Sequence, residues 1–315
     1  MREFHGTREA FAAALLDMAE YDERVMLVSA DSLKAMRAVP FGEQYPARYV
    51  ECGIAEQCVV DVAAGMASCG LIPFVGTYSG FLTMRACEQM RTFIGYTHLN
   101  AKFVGVNAGL LGGEREGVTH QFYEDIGILS SMPGFRIFPP ADPAQCYQAI
   151  LMAAKVDGPV FVRAGSGREV NVYEKDAPFS PSGITVWKRY GTSALLLSSG
   201  FVLDRVLAAA ELLKARGVDV TVADVNILYG DDASELLKEM AATDLIVTVE
   251  DHNVNGGLGS YVSRLACENR PVRVHRIALT TYGESGPAKE LADDYGFSPE
   301  AIADSTMAAK EKLKA

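Results

Sequence analysis

The 315-residue sequence lacks several features that mark well-known classes of protein. No apolar run approaches the roughly 18 residues that a membrane-spanning helix needs, and the first residues show no apolar stretch of a secretory signal. The six cysteines form no Cys-x-x-Cys pair, which predicts free and mostly buried thiols in a reducing compartment. We therefore expect a cytoplasmic protein with no membrane partner.

Positive charge is also scarce, because 29 Lys and Arg stand against 40 Asp and Glu, for a formal net charge of −11. Binding to a nucleic-acid backbone needs clustered basic side chains, so no nucleic-acid partner is expected. A small anionic ligand needs only local positive charge and stays compatible with this balance. No P-loop is present, and the GGLGS stretch at 256–260 predicts a tight turn between a strand and a helix.

What the sequence does contain is an alternation of short apolar runs with helical periodicity. Runs that predict buried strands of parallel sheets lie at 24–30, 72–77, 101–106, 135–138, 159–163, 192–198, 218–224, 244–250 and 272–278. Helical patterns separate them, and Thr7 is the predicted N-cap of the first helix. We predict an α/β protein of two doubly wound domains with mainly parallel sheets, at 1–170 and 191–315, with a linker at 171–190.

Two segments are dense in chemically useful residues. In the first, a helix is predicted to start just after Gly53 with Glu56 in its first turn, and Tyr78 and Phe81 follow an apolar strand. In the second, a glycine-rich loop over 107–125 contains a histidine and follows another strand, at the edge where open α/β sheets place ligands. Each residue alone also has a structural explanation, since an acidic residue in a first turn offsets the helix dipole and aromatic residues are common in cores.

Taken together, these segments resemble the transketolase family. Seven motifs occur in order: TREA (7–10), SAD (29–31), GIAEQ (53–57), PFVGTYSGF (73–81), REGVTHQ (115–121), PPADP (139–143) and DLIVTVEDHNVNGGLGS (244–260). The first six resemble the pyrimidine-binding half of transketolase and the last resembles its C-terminal domain. Any one motif is weak, whereas seven in order are specific, and they extend over nearly the whole chain.

The resemblance implies thiamine diphosphate bound between two α/β domains. Glu56 corresponds to the glutamate that shares a proton with the pyrimidine ring, so we expect it in a largely apolar pocket. Tyr78 and Phe81 correspond to the aromatic residues that hold this ring. His120 corresponds to a histidine that contacts the reacting oxygen of the substrate. The implied reaction transfers a two-carbon ketol unit from a ketose donor to an aldose acceptor.

The chain lacks the Gly-Asp-Gly…Asn motif with which this family holds the diphosphate and Mg²⁺. We therefore expect no metal ligands in it, and the resemblance implies a separate N-terminal subunit that supplies the diphosphate and Mg²⁺ site. Pairing of such domains about a two-fold axis implies a heterotetramer. The C-terminal domain is expected to contribute contact surface rather than catalysis, and its Glu250, Asp251 and His252 have no assigned role.

The positions that grip a sugar phosphate depart from the family pattern. Arg8 matches the first of them. The other three carry uncharged residues here: Ala35, Asn107 and Ser166. Cations nearby in sequence can rebuild an anion site: Lys34, Arg37 and Arg168. The loop before THQ is one residue longer than in the family, and Glu116 is the candidate acid that reads the donor hydroxyl. We expect a modified or non-standard sugar, with or without a phosphate.

Three other interpretations stay open. Two are enzymes: the β subunit of a 2-oxoacid dehydrogenase E1 component and a deoxyxylulose-phosphate-synthase-like acyl transferase. The third is a relative that kept the fold and lost the chemistry. The SAD, GIAEQ and REGVTHQ stretches favour transketolase over the first two, and the presence of Glu56, Tyr78, Phe81 and His120 argues against the third.

Overall fold

The computed structural model describes residues 3–113, 115–230 and 232–313. The strands are β1 (Val25–Ser29), β2 (Tyr49–Glu51), β3 (Ile72–Tyr78), β4 (Lys102–Val106), β5 (Arg136–Phe138), β6 (Val160–Arg163), β7 (Ile184–Arg189), β8 (Leu195–Ser199), β9 (Thr221–Val225), β10 (Leu245–Asn253) and β11 (Arg273–Leu279). The α-helices are α1 (Thr7–Ala19), α2 (Val39–Gln44), α3 (Glu56–Ser68), α4 (Cys87–Gln89), α5 (Asp125–Ser130), α6 (Pro143–Lys155), α7 (Leu203–Ala215), α8 (Ser234–Ala241), α9 (Leu258–Asn269), α10 (Ala288–Asp294) and α11 (Pro299–Glu311). A short 3₁₀ helix covers Pro46–Arg48.

The first sheet has six parallel strands in the order β2-β1-β3-β4-β6-β5. Helices α1 and α6 share a buried apolar cluster on one face, and α3 belongs to the cluster on the other. The five strands predicted for this region are confirmed, because their side chains are apolar on both faces. Strand β2 was not predicted, since it has three residues and none of them is buried.

The second sheet has five strands in the order β11-β10-β8-β9-β7. Its strands pair in parallel except β7, which is antiparallel to β9 at the edge. Strand β7 lies inside the segment 171–190 that was expected to be a linker. It is largely half-buried and has an irregular register between Val186 and Lys188, so its sequence carries little strand signal. The division into two domains stays a prediction.

Helical structure after β3 is irregular. The sequence pattern predicts one helix over 79–96, whereas the structure has π-helical turns at Phe81–Arg85 and Met90–Gly95 on either side of α4. Such π turns are rare and occur frequently at functional sites. In the part of the chain that the structure describes, no helix combines the length and the apolar character needed to cross a bilayer.

The six cysteines are free, as predicted, but the expectation that most are buried is wrong. Cys146 is buried, whereas three others are exposed: Cys58, Cys69 and Cys267. Cys58 follows the buried Glu56 in the first turn of α3 and faces outward, and Cys69 ends that helix. Helical position rather than residue type therefore decides the exposure of these thiols.

Candidate active site

Glu56 begins α3 directly after a loop that Glu51 organises. The Glu51 carboxylate accepts hydrogen bonds from the Tyr49 hydroxyl at 2.6 Å, from the Asp31 amide at 2.6 Å and from the Gly53 amide at 2.8 Å. Gly53 has a φ of 71°, a conformation that favours glycine. The loop therefore fixes where α3 starts, and Glu56 is 2% exposed there.

Arg85 is the partner of this buried carboxylate. Its Nη1 donates to both carboxylate oxygens of Glu56 at 3.0 Å, and its guanidinium carbon lies 4.0 Å from the centroid of the Phe81 ring. The Arg85 side chain is 50% exposed. A guanidinium is a flat nitrogen donor, so the corner between Glu56 and Phe81 accepts a flat group that donates hydrogen bonds and stacks on a ring.

The sequence did not predict this ion pair. Arg85 follows Phe81 by four residues in a helical segment, which places the two side chains on one face, and that spacing was the available signal. Its pairing with Glu56 joins residues 29 apart in the chain.

Aromatic side chains line the same corner. Tyr78 ends β3, and its ring centroid lies 5.5 Å from that of Phe81. The His120 ring meets both rings edge-on, at 5.1 Å from Tyr78 and 5.3 Å from Phe81. Each of these three rings is half-buried, so part of each surface stays open. Gly80 has no room for a side chain, because a Cβ there would enter the Phe122 ring.

His120 is carried by a loop that closes on itself after β4. The Gly109 amide donates to the Phe122 carbonyl at 2.6 Å, and the Phe122 amide donates to the Asn107 carbonyl at 3.3 Å. His120 Nδ1 lies 2.9 Å from the Thr119 hydroxyl. Glu116 is exposed in this loop. Its neighbour Glu114 lies outside the described residues.

Arg8 brings the predicted substrate positions together. Its Nε donates to the Gly165 carbonyl at 3.3 Å, its Nη1 to the Ala35 carbonyl at 3.3 Å, and its Nη2 to Asn107 Oδ1. Gly165 precedes Ser166, so the four family positions meet at one place. Burial lowers the pKa of the Arg8 guanidinium, while Tyr78, Glu169 and Glu116 act in the opposite direction.

Asn107 is fully buried and has a φ of 55°. Its Nδ2 finds no hydrogen-bond partner among the residues that the structure describes. Of the three nearby cations, Arg168 is close enough to Arg8 to lower the pKa of the guanidinium further. Lys34 and Arg37 have exposed side chains. The site therefore offers one buried guanidinium and one buried amide donor.

A buried ionic cluster that the sequence did not predict lies next to the aromatic residues. Asp125 accepts hydrogen bonds from the Ser79 hydroxyl at 2.7 Å and from Arg163 Nε at 3.0 Å, and all three residues are buried. His252 Nε2 lies 3.6 Å from Asp125. Burial lowers the pKa of His252 to about 4, so its imidazole is neutral near pH 7. Since Ser79 lies between Tyr78 and Gly80, this cluster anchors the aromatic corner.

Metal-ligating side chains are not gathered in this way. In the described ranges, no group of three or more His, Cys, Asp or Glu side chains is placed to hold a metal ion.

Comparison with known proteins matches both parts of the chain to one family. Residues 5–167 match the transketolase pyrimidine binding domain, and residues 183–302 match the transketolase C-terminal domain. A 6-deoxy-6-sulfo-D-fructose transketolase subunit from Clostridium sp. strain MSTE9 is 32% identical over 301 residues, which cover 95% of this chain and 93% of that protein.

Two further proteins are similar along most of their length. A subunit of an apulose-4-phosphate transketolase from Actinobacillus succinogenes is 32% identical, and the match covers 88% of this chain and 89% of that protein. A solved structure described as a split gene transketolase, inactive beta4 tetramer, superposes with a TM-score of 0.88 at 31% identity, covering 98% of this chain and 99% of that chain.

Proposed function

This chain belongs to the transketolase family, and we propose that it is the C-terminal subunit of a split, thiamine-diphosphate-dependent transketolase. In this role it transfers a two-carbon ketol unit between a ketose donor and an aldose acceptor. The observation that carries the proposal is the corner where the buried Glu56 carboxylate meets the Phe81 ring, since this corner already holds a flat nitrogen donor.

The residues of the chain have distinct parts in this proposal. Thiamine diphosphate, when bound, supplies the electron sink that allows a carbon–carbon bond beside a carbonyl to break. Glu56 shares a proton with the pyrimidine ring, and Tyr78 and Phe81 hold that ring by stacking. The ring and Arg85 compete for the same carboxylate. His120 lies against both aromatic rings, where it hydrogen-bonds the reacting oxygen of the substrate.

A partner subunit completes the site. We propose that an N-terminal transketolase subunit holds the diphosphate and Mg²⁺, and that two copies of each chain form a heterotetramer. Support comes from the match along the full length of proteins named as subunits. Ile54 and Met84, which neighbour Glu56 and Arg85 in sequence, are 72% and 46% exposed and offer apolar contact surface.

A cytoplasmic location is part of this proposal. Its support is chemical: all six cysteines are free, as is usual for thiols in a reducing compartment.

The substrate is proposed to be a sugar that differs from an ordinary sugar phosphate. Arg8 is the buried cation of this site, and Asn107 adds a neutral donor beside it. A phosphate dianion is held best by several charge-assisted donors, so one guanidinium suits a group of lower charge. The similar proteins named above carry the names of a sulfonated fructose and of apulose 4-phosphate. Glu116 is the proposed reader of the donor hydroxyl.

The test is an assay of the reconstituted complex with four compounds. Xylulose 5-phosphate with ribose 5-phosphate measures ordinary transketolase activity, and 6-deoxy-6-sulfo-D-fructose with the same acceptor measures activity on a modified donor. Faster turnover of the modified donor supports the substrate assignment, whereas equal or slower turnover contradicts it. Decarboxylation of pyruvate without ketol transfer identifies the E1 or deoxyxylulose-phosphate-synthase-like alternative.

A further inference from the structure

The second sheet reaches into the loop that carries the substrate residues. The Asp251 carboxylate, near the end of β10, accepts hydrogen bonds from the backbone amides of Leu110 at 2.7 Å and Leu111 at 2.9 Å. Gly109 has a φ of 83°, and a Cβ there would collide with Asp251 Oδ2. The turn over 109–111 is therefore shaped around this carboxylate.

Apolar packing ties the same loop to the second sheet. Leu110 is fully buried and Tyr123 is 1% exposed, and both belong to the apolar cluster on one face of that sheet. Val249, two residues before Asp251, is part of this cluster. The two ends of the loop are thus inserted into the core of the other sheet.

Further hydrogen bonds reach the loop close to His120. Gln121 Nε2 donates to the Glu284 carbonyl at 2.7 Å. The Tyr123 hydroxyl accepts from the Gly283 amide at 2.9 Å, and the Tyr123 carbonyl accepts from the Asn253 amide at 2.7 Å. The residues that follow β10 and β11 therefore hold both sides of the turn.

Asp251 is itself held rigidly. It is fully buried, and its backbone carbonyl accepts a hydrogen bond from Arg163 Nη2 at 2.8 Å. Arg163 pairs in turn with Asp125, which binds the hydroxyl of Ser79. The carboxylate thus has a fixed position relative to both the loop and the aromatic corner.

We propose that Asp251 is a positioning residue, which sets the loop that carries Asn107 and His120 through the backbone amides of Leu110 and Leu111. The second sheet thereby acts on the substrate site, although it contributes no residue to the cofactor corner described above. The effect on the loop depends on these contacts alone, and the effect on catalysis rests on the proposed function.

The first experiment is hydrogen–deuterium exchange on the full chain with Asp251→Asn. The substitution keeps the size of the side chain but turns an NH₂ group toward one of the two amide donors. Loss of a charge-assisted hydrogen bond predicts about tenfold or greater acceleration of exchange at Leu110 and Leu111. Exchange in β8 and β9 should stay unchanged. Asp244→Asn, at the exposed amino end of the same strand, is the matched control.

The second experiment measures the reconstituted complex with the same variant. Misplacement of His120 and Asn107 predicts that kcat/KM for the ketose falls about tenfold or more. The Kd for thiamine diphosphate should stay the same within error, because Glu56, Tyr78 and Phe81 make no contact with Asp251 in the described structure. A purely structural role would instead weaken cofactor and substrate binding together.

Unchanged exchange at Leu110 and Leu111, or equal acceleration throughout both sheets, would overturn the inference. If Asp251→Asn does not fold, Gln121→Met removes the donor to Glu284 and should accelerate exchange around His120; unchanged exchange in that variant would also overturn it. A wild-type complex without ketose turnover would refute the proposed function, and the exchange measurement would still decide the positioning of the loop.

Discussion

Glu56→Gln is expected to separate catalysis from stability. The carboxyl is 2% exposed, and the Arg85 side chain that pairs with it is 50% exposed. An ion pair with one such exposed partner contributes about 1 kcal/mol or less, so the variant should stay folded with a Tm lowered by only a few degrees. Loss of a positioned acid–base group lowers rates by about 10²–10⁴-fold, or roughly 3–5 kcal/mol of barrier.

The assay compares kcat of the reconstituted complex with the free energy of unfolding of the chain, for Glu56→Gln and for a control. The control is Glu43→Gln, which removes an exposed carboxyl from α2. Turnover within about tenfold of wild type for Glu56→Gln would refute the role of Glu56, because the expected loss begins near 10²-fold. A collapse of stability matching the loss of rate would show that the residue is structural.

Two further predictions concern buried cations. Arg8→Lys should raise KM for the ketose about tenfold, since an ammonium cannot reach three separate acceptors, and exposed Arg24→Lys should not; an unchanged KM would contradict the substrate role of Arg8. Lys102 donates to two backbone carbonyls, and burial lowers its pKa from 10.5 to about 7. Between these values the unfolded chain binds more protons, so stability from this group rises with pH, and the advantage of wild type over Lys102→Met should grow by about 3 kcal/mol between pH 7 and 9.5 in urea unfolding. Exposed Lys155→Met should show no such growth, and a constant gap for Lys102→Met would contradict the prediction.

Much of the first sheet was predictable from local pattern. Strands that are apolar on both faces stand out in sequence, and the order of short motifs located Glu56, Tyr78, Phe81 and His120. The turn at 256–260 was also predicted, and Gly257 is the N-cap of α9 there. These features depend on neighbours in the chain.

Contacts between distant residues were not predictable in this way. Asp251 and Leu110 are 141 residues apart, and neither carries a signal for the other. Thr7 was predicted as the N-cap of α1, but Gly6 takes that position. The Thr7 hydroxyl instead accepts a hydrogen bond from the Gly165 amide at 3.0 Å, because tertiary contact outweighs local preference.

The most direct test of a shared cofactor site is calorimetric titration with thiamine diphosphate and Mg²⁺. Three samples are compared: this chain, the product of the neighbouring reading frame that carries a Gly-Asp-Gly…Asn motif, and their mixture. We expect tight binding in the mixture, where Glu56 and the diphosphate site are both present, and weak or undetectable binding to this chain. Equally tight binding to this chain alone, or ketol transfer by it, would contradict the account.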